Sequence, residues 1–540
     1  MKAELLLTNA KIRTMDTSRP LAQSLAVLNG RIVAIGDNHE LANLAGPDTI
    51  VLDLKEKTVL PAFIDAHEHL SWFSESSLTL NCSPQKVNSI KKLLSLVKWE
   101  TDIARPGEWI RGVLYDDTKM SENRFLNRRD LDIAAPNNPV IVIHVSGHWA
   151  VVNSAALKLG ELNRHSVNPR GGALGRDTST GSLDGVLLEM AMFDFAFESL
   201  ATKPTIVPPF PRMIRKKAAI EAAKELNRSG ISGVSDALCP PSYITTYHDL
   251  MIAKELPLRV NIIIPYIFLN HLENLGLIGG WGNEWVRSAG IKIIVDGAIA
   301  GHTSALKDGH EDDPDDHGIL LIEDQLELDQ VVQRIHNMNY QACIHANGDL
   351  AIEMSLNAIE QAQQKRPGLT PRHRIEHCTM ITDNILKRMH QLNVMALPFA
   401  SYLWQHGEKL KPFYGQRAHR MFAHNSFLNA GVRVAASSDH PVGLQSPLLG
   451  LQCMVTRQAS TGEIIRPQEK ISIDEAFKMY TAYAAYATGE ETIKGTLSLG
   501  KLADMVVLNR DPWSIPPEEI SQIGVVNTIV DGKIVYAHEE

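Results

Sequence analysis

His67 and His69 stand two residues apart at the end of the apolar run Leu60-Pro61-Ala62-Phe63-Ile64-Asp65-Ala66. Residues i and i+2 of an extended strand point to one face. The two imidazoles can therefore sit side by side, which suits a divalent metal. Further along, short apolar stretches carry residues of the same chemistry. Lys292 lies inside Ile291-Lys292-Ile293-Ile294-Val295, just before Asp296, and His345 closes Ala342-Cys343-Ile344. His377 follows Arg374-Ile375-Glu376, and Asp439 follows Val434-Ala435-Ala436-Ser437-Ser438. His345 and His377 are separated by about one βα repeat. Ligands on different strand ends converge only where a sheet closes into a barrel, whose C-terminal face gathers the loops.

The elements that must position these residues fall into two textures. The first sixty residues read as short strands, Leu5 to Ile12, Ser24 to Leu28 and Arg31 to Ile35, with Asn29-Gly30 as a type I′ hairpin signal. The C-terminus repeats that style in Ala503 to Leu508, Val525 to Val530, Asp531-Gly532 and Lys533 to Tyr536. Residues 1–60 plus 490–540 are expected to pair into one small β-sandwich. Between them, Val140–Val145, Ile231–Val234, Val260–Ile264, Ile291–Val295, Ala342–Ile344, Val394–Leu397 and Val432–Ala436 alternate with helical stretches such as Met213 to Ser229 and Ile473 to Thr488. That alternation implies βα units and a parallel sheet over residues 61–489. The region from about 71 to 205 is too long for one connection and is expected to be an insertion over the barrel mouth. The acidic run Asp308 to His317 lacks calcium-loop spacing and reads as a solvated loop.

Composition narrows the function classes. A 540-residue chain calls for one large domain and a smaller one. A net charge of −9 argues against nucleic acid or an anionic membrane as the main partner. No apolar run is long enough for a transmembrane helix, and the first residues lack a signal-peptide pattern. Cys82, Cys239, Cys343, Cys378 and Cys453 are scattered and form neither a disulfide framework nor a CxxC zinc site. A cytoplasmic enzyme is expected.

The ordered series His67-x-His69, Lys292, His345, His377, Asp439 resembles the amidohydrolase superfamily of metal-dependent hydrolases. The match is closest to its amidohydrolase family 3 branch, which includes YtcJ-like proteins and N-substituted formamide deformylases. Trp109-Ile110-Arg111-Gly112, Gly147-His148 with Asn153-Ser154-x-Ala156-Leu157, Asp296-Gly297-Ala298 and Arg374 to His377 resemble that branch's recurring segments, so the likeness covers nearly the whole chain. It implies a TIM-like (β/α)8 barrel with a β-sandwich from both termini, and two divalent ions, most often zinc. By the same resemblance, His67 and His69 bind the more buried ion, and His345 and His377 the more exposed one. Lys292, carbamylated by carbon dioxide, bridges both, and Asp439 touches the first ion and a bridging hydroxide. Burial of Lys292 in an apolar strand favours the neutral amine that carbamylation requires. Asp439 suits a general acid/base that moves a proton from water to a departing nitrogen. The alternative for Lys292 is a plain ligand or a salt bridge, with Asp296 close by in sequence.

Other residues are weaker candidates. His148, after an apolar strand, could polarise a substrate carbonyl; Tyr115 and Asp116 match an aromatic–acidic pair of the branch and could line the pocket. His302 stands where relatives often carry arginine, which puts a substrate-anchoring role in doubt, and Tyr402 with Trp404 and His406 could shape a pocket. Glu376 and His440 are read as facing away from the site. The expected activity is hydrolysis of an amide, formamide or carbamate bond in a small molecule, by a homo-oligomer, as a dimer. Rival readings are a deaminase, which lacks support because His345 is followed by Ala346-Asn347-Gly348 with no glutamate, an esterase or lactonase, and a metal-free interaction protein. The last expects missing ligands, and all six positions are filled. The loops that would choose a substrate carry no transferable code.

Overall fold

The middle of the chain supplies seven parallel strands, largely buried on both faces. In the computed structural model, which describes residues 2–299, 301–311 and 313–538, these are β1 (Phe63–Glu68), β2 (Ile231–Ala237), β3 (Arg259–Pro265), β4 (Val286–Ile294), β5 (Gln341–Ala346), β6 (Arg374–His377) and β7 (Met395–Leu397). They follow one another in space from β1 to β7, each parallel to its neighbour. Residues 432–438 occupy the eighth position. That segment makes only isolated parallel bridges, Ala396 to Val434 and Phe399 to Ser437, on the β7 side. On the other side Ala66 N–H donates to the Ala436 carbonyl (3.3 Å) and Asp439 N–H to the His67 carbonyl (2.9 Å). The sheet thereby closes into a TIM-like barrel. The expected strand Val432–Ala436 is thus present as an extended stave rather than a continuous ladder.

Amphipathic helices sheathe the barrel. Asp383–Gln391 buries Ile385, Leu386 and Met389 and begins at Thr382, whose hydroxyl accepts Ile385 N–H. The helix expected over Ile473 to Thr488 is two helices, Ile473–Met479 and Ala482–Ala487. The break has a reason. Carbonyls released at Met479 and Tyr480 accept N–H groups of Ala436 (3.0 Å) and Ile64 (2.8 Å), so the interruption satisfies backbone donors at the barrel's closure.

Both chain ends build two further sheets. One has four strands in the order Arg31–Gly36, Ser24–Leu28, Leu5–Thr8, Ile50–Asp53; the other has six, Lys533–Ala537, Val525–Val530, Met505–Leu508, Thr58–Pro61, Lys11–Arg13, Leu21–Ala22. Alternate residues Leu5 and Leu7, Leu25 and Val27, Met505 and Val507 share one core with Val59 and Ile529, as two facing sheets require. The single strand expected over Leu5 to Ile12 is split between the sheets at Asn9, whose φ of 51° turns the chain. Asn29 and Gly30 (φ 51° and 70°) and Asp531 and Gly532 (φ 55° and 73°) both make the positive-φ turns read from sequence.

Residues 71–219, with 240–246, form a separate compact unit. Its six-stranded sheet runs Gly172–Arg176, Leu183–Glu189, Trp149–Val152, Val140–His144, Ile110–Tyr115, Leu80–Asn81. Val140–His144, counted among the barrel strands from its apolar texture, belongs here instead. It lies parallel to Ile110–Tyr115 and antiparallel to Trp149–Val152. A short apolar run records burial on two faces, not which sheet provides it.

Candidate metal centre

The strand ends of the barrel bring His67, His69 and Asp439 together, with one donor atom of each within 4.8 Å of the others. Hydrogen bonds fix the imidazole tautomers. His69 Nδ1 donates to the Ala237 carbonyl (2.8 Å), an acceptor only, which leaves Nε2 with its lone pair. His67 Nδ1 donates to the Glu376 carboxylate, so its Nε2 also presents a lone pair. Both Nε2 atoms point at the same oxygen, Asp439 Oδ1, at 3.2 and 3.1 Å. Three lone-pair bearers that close repel one another unless a cation lies among them. Imidazole, imidazole and carboxylate are the donors that zinc and its neighbours prefer. The side chains therefore fit a divalent ion.

The remaining candidate ligands adjoin this trio. Lys292 Nζ lies 3.2 Å from His67 Nε2, in a buried position. Burial lowers its pKa, against the pull of Glu376 and Asp439. Asp296 does not pair with it. That carboxylate accepts backbone N–H groups of Ala305 (3.0 Å), Asn347 (2.9 Å) and Gly348 (2.8 Å), and burial raises its pKa to about 7. The His377 ring stands 5.1 Å from that of His67 and 4.5 Å from that of His345. His377 Nδ1 is buried without a hydrogen-bond partner, an unmet polar atom on a ring that adjoins both. His345 Nε2 donates to the Gly297 carbonyl (3.1 Å), and burial drives its pKa to about 3, keeping it neutral. Asp439 is buried against His67 and His69, so its charge is retained once a cation sits among those nitrogens.

Glu376 corrects the sequence reading. Strict strand alternation places it opposite His377, yet it reaches His67. His377 and Cys378 take positive φ (66° and 42°), so alternation fails at the end of β6. Arg374 Nε donates to Glu376 Oε1 at 2.5 Å, and its Nη2 donates to the Ala66 carbonyl at 3.1 Å. Burial would raise Glu376, but Arg374 and His67 hold it far below the carboxylate range. Phe399 was also unread. It stacks on His377 at 4.8 Å, and Tyr402 packs on Phe399 at 5.3 Å, so Tyr402 is one ring away from a candidate ligand. An aromatic residue just past β7 was the available signal.

The other candidates make contacts of their own. His302 packs against His310 and Phe413, with ring separations of 3.8 and 4.9 Å. His440 Nδ1 donates to the Gly443 carbonyl at 3.0 Å. In the separate unit, Tyr115 is a core residue whose hydroxyl accepts Leu126 N–H (3.0 Å). Asp116 caps a short helical turn through Thr118. His148 is half-exposed and donates from Nδ1 to Glu189 at 2.9 Å.

The chain is similar to known proteins in sequence and in fold. An amidohydrolase family model matches residues 51–536. An N-substituted formamide deformylase of Arthrobacter pascens is 30% identical over 99% of this chain and 98% of its own length. A putative amidohydrolase, YtcJ, of Bacillus subtilis is 27% identical over 97% of this chain and 98% of its own. The crystal structure of an uncharacterised metal-dependent hydrolase from Pyrococcus horikoshii superposes with a TM-score of 0.78 at 21% identity, covering 95% of this chain and 99% of that one. With a family model spanning most of its length, the chain belongs to the amidohydrolase family.

Proposed function

We propose that this enzyme hydrolyses the carbon–nitrogen bond of a small amide-type substrate, with N-substituted formamides as the first class to test and amides and carbamates next. The observation that carries the reading is the convergence of two imidazole lone pairs on one Asp439 oxygen. The deformylase relative directs the choice of substrate class. His67, His69 and Asp439 would hold one divalent ion, and His345 with His377 a second, zinc being the metal best matched to these donors. Bound there, such ions supply Lewis-acid polarisation of a carbonyl and bring the pKa of water towards neutrality. The buried Lys292 amine, when neutral, can add to the carbon of carbon dioxide and release one proton, leaving a carbamate anion that offsets metal charge. Asp439 accepts the proton of the attacking water and delivers it to the nitrogen as the C–N bond breaks. Glu376 holds His67 in the tautomer that presents Nε2.

The test measures amine release from a panel of formamides, amides and carbamates, before and after chelation. We expect turnover to vanish on metal removal, to return with added zinc, and to be absent in His67→Ala. Full turnover after exhaustive chelation overturns the reading.

A further inference from the structure

The connection between β4 and β5 gathers a second set of donors. Among its described residues, 297–320 hold no helix, and only Leu320 makes a β-bridge, to Asp296. Within it, His302 occupies a left-handed turn (φ 57°), His310 is 1% exposed, and Asp316 is exposed. One donor atom of each lies within 4.8 Å of the other two. The two imidazoles overlap, with ring centroids 3.8 Å apart. Each ring thereby brings one nitrogen within 4.8 Å of an Asp316 carboxylate oxygen.

Asp316 supplies the counter-charge. Its Oδ1 accepts Gly318 N–H at 2.9 Å, while Oδ2 stands 4.0 Å from His302 Nδ1. That gap is too long for a hydrogen bond and is wide enough for an ion to enter after a small side-chain rotation. The backbone already holds the partners in register, because His310 N–H donates to the Asp316 carbonyl at 2.9 Å.

We propose that His302, His310 and Asp316 form a separate divalent-cation site, of zinc or cobalt chemistry, that cross-links the β4–β5 connection. Two nitrogens and one carboxylate oxygen make a three-ligand set with a position left for water. The ion ties the start of the connection to its end. It does in this irregular segment what helices and ladders do elsewhere.

The experiment strips the full-length protein with chelator, returns zinc alone, and counts tightly held ions in the wild type, His310→Gln and Asp316→Asn. His310 is buried and its variant can fail to fold. Asp316→Asn is exposed and retains an oxygen for Gly318, so it keeps the test decisive. We expect each folded variant to hold one ion fewer than the wild type. The same difference should appear in a His67→Ala background, where the strand-end cluster is disabled. Zinc at about ten times its Kd should slow proteolysis within 297–320 about tenfold in the wild type and not in Asp316→Asn. Equal ion counts in the wild type and Asp316→Asn, with equal proteolysis, overturn the proposal. Loss of ions from the strand-end cluster alone would count against the proposed activity instead.

Discussion

At the scale of single residues, Asp439 and Glu376 make opposite contributions to the same imidazole. Asp439 faces the lone pair of His67, and Glu376 fixes the tautomer from behind. Asp439→Asn preserves shape but cannot take a proton from water. We expect steady-state turnover on an amide substrate to fall by more than ~100-fold, the lower range for general acid–base catalysis, with metal content only partly reduced. Near wild-type turnover would reassign the proton to another group. Glu376→Gln should act differently. It leaves the Arg374 guanidinium buried without its anion, which costs roughly 3–5 kcal/mol in denaturant unfolding. It also loosens His67, so metal affinity should drop by roughly 10–100-fold in a chelator-competition titration.

At the scale of elements, a buried histidine pair braces the starts of β5 and β6. Ala342 N–H donates to His373 Nδ1 (3.0 Å), so His373 Nε2 carries the proton and donates to His336 Nδ1 (2.9 Å); His336 Nε2 then donates to the Arg366 carbonyl (3.1 Å). Burial, with His336 beside it, lowers the His373 pKa from 6.5 to about 3. The unfolded chain therefore binds a proton that the native state refuses between those values. Stability from this group is complete above pH 6.5 and is lost as pH falls towards about 3. Unfolding free energies measured across that window should decline by up to ~1.4 kcal/mol per pH unit from this residue, and His373→Gln should flatten the slope. An unchanged slope would place the acid sensitivity elsewhere. Much of the element order was legible from the sequence, because each of β1 to β5 contains or adjoins a short apolar stretch and Asn29-Gly30 and Asp531-Gly532 dictate their own turns. The site was legible as a set of residue types at strand ends. The inward turn of Glu376 was not, since it depends on a positive φ at His377. Nor was the break at Tyr480, whose cause is a pair of backbone donors far away in sequence.

At the scale of the molecule, a buried ion pair links the sandwich to the barrel. Arg259 at the start of β3 donates from Nε and Nη2 to Asp504 at 2.7 and 3.0 Å, and Asp504 Oδ1 also accepts Asp531 N–H at 2.9 Å. Arg259 further lies over the Trp285 ring at 4.5 Å. Asp504→Asn should cost about 3–5 kcal/mol, because it strands a buried guanidinium. We expect circular dichroism and tryptophan fluorescence to separate into two transitions in that variant, where the wild type gives one. Coincident transitions in the variant would show that the pair does not couple the two parts.

The strand Thr58–Pro61 lies between Lys11–Arg13 and Met505–Leu508 and runs through Ala62 directly into β1. During synthesis, its second neighbour emerges only after the entire barrel has been translated. At roughly 5–20 residues per second the wait lasts tens of seconds. Throughout it, an unpaired strand edge, continuous with the strand that carries His67 and His69, is open to wrong partners. Nascent chains stalled before residue 505 should thus engage holdase chaperones, and release of the last β-strands should end that engagement.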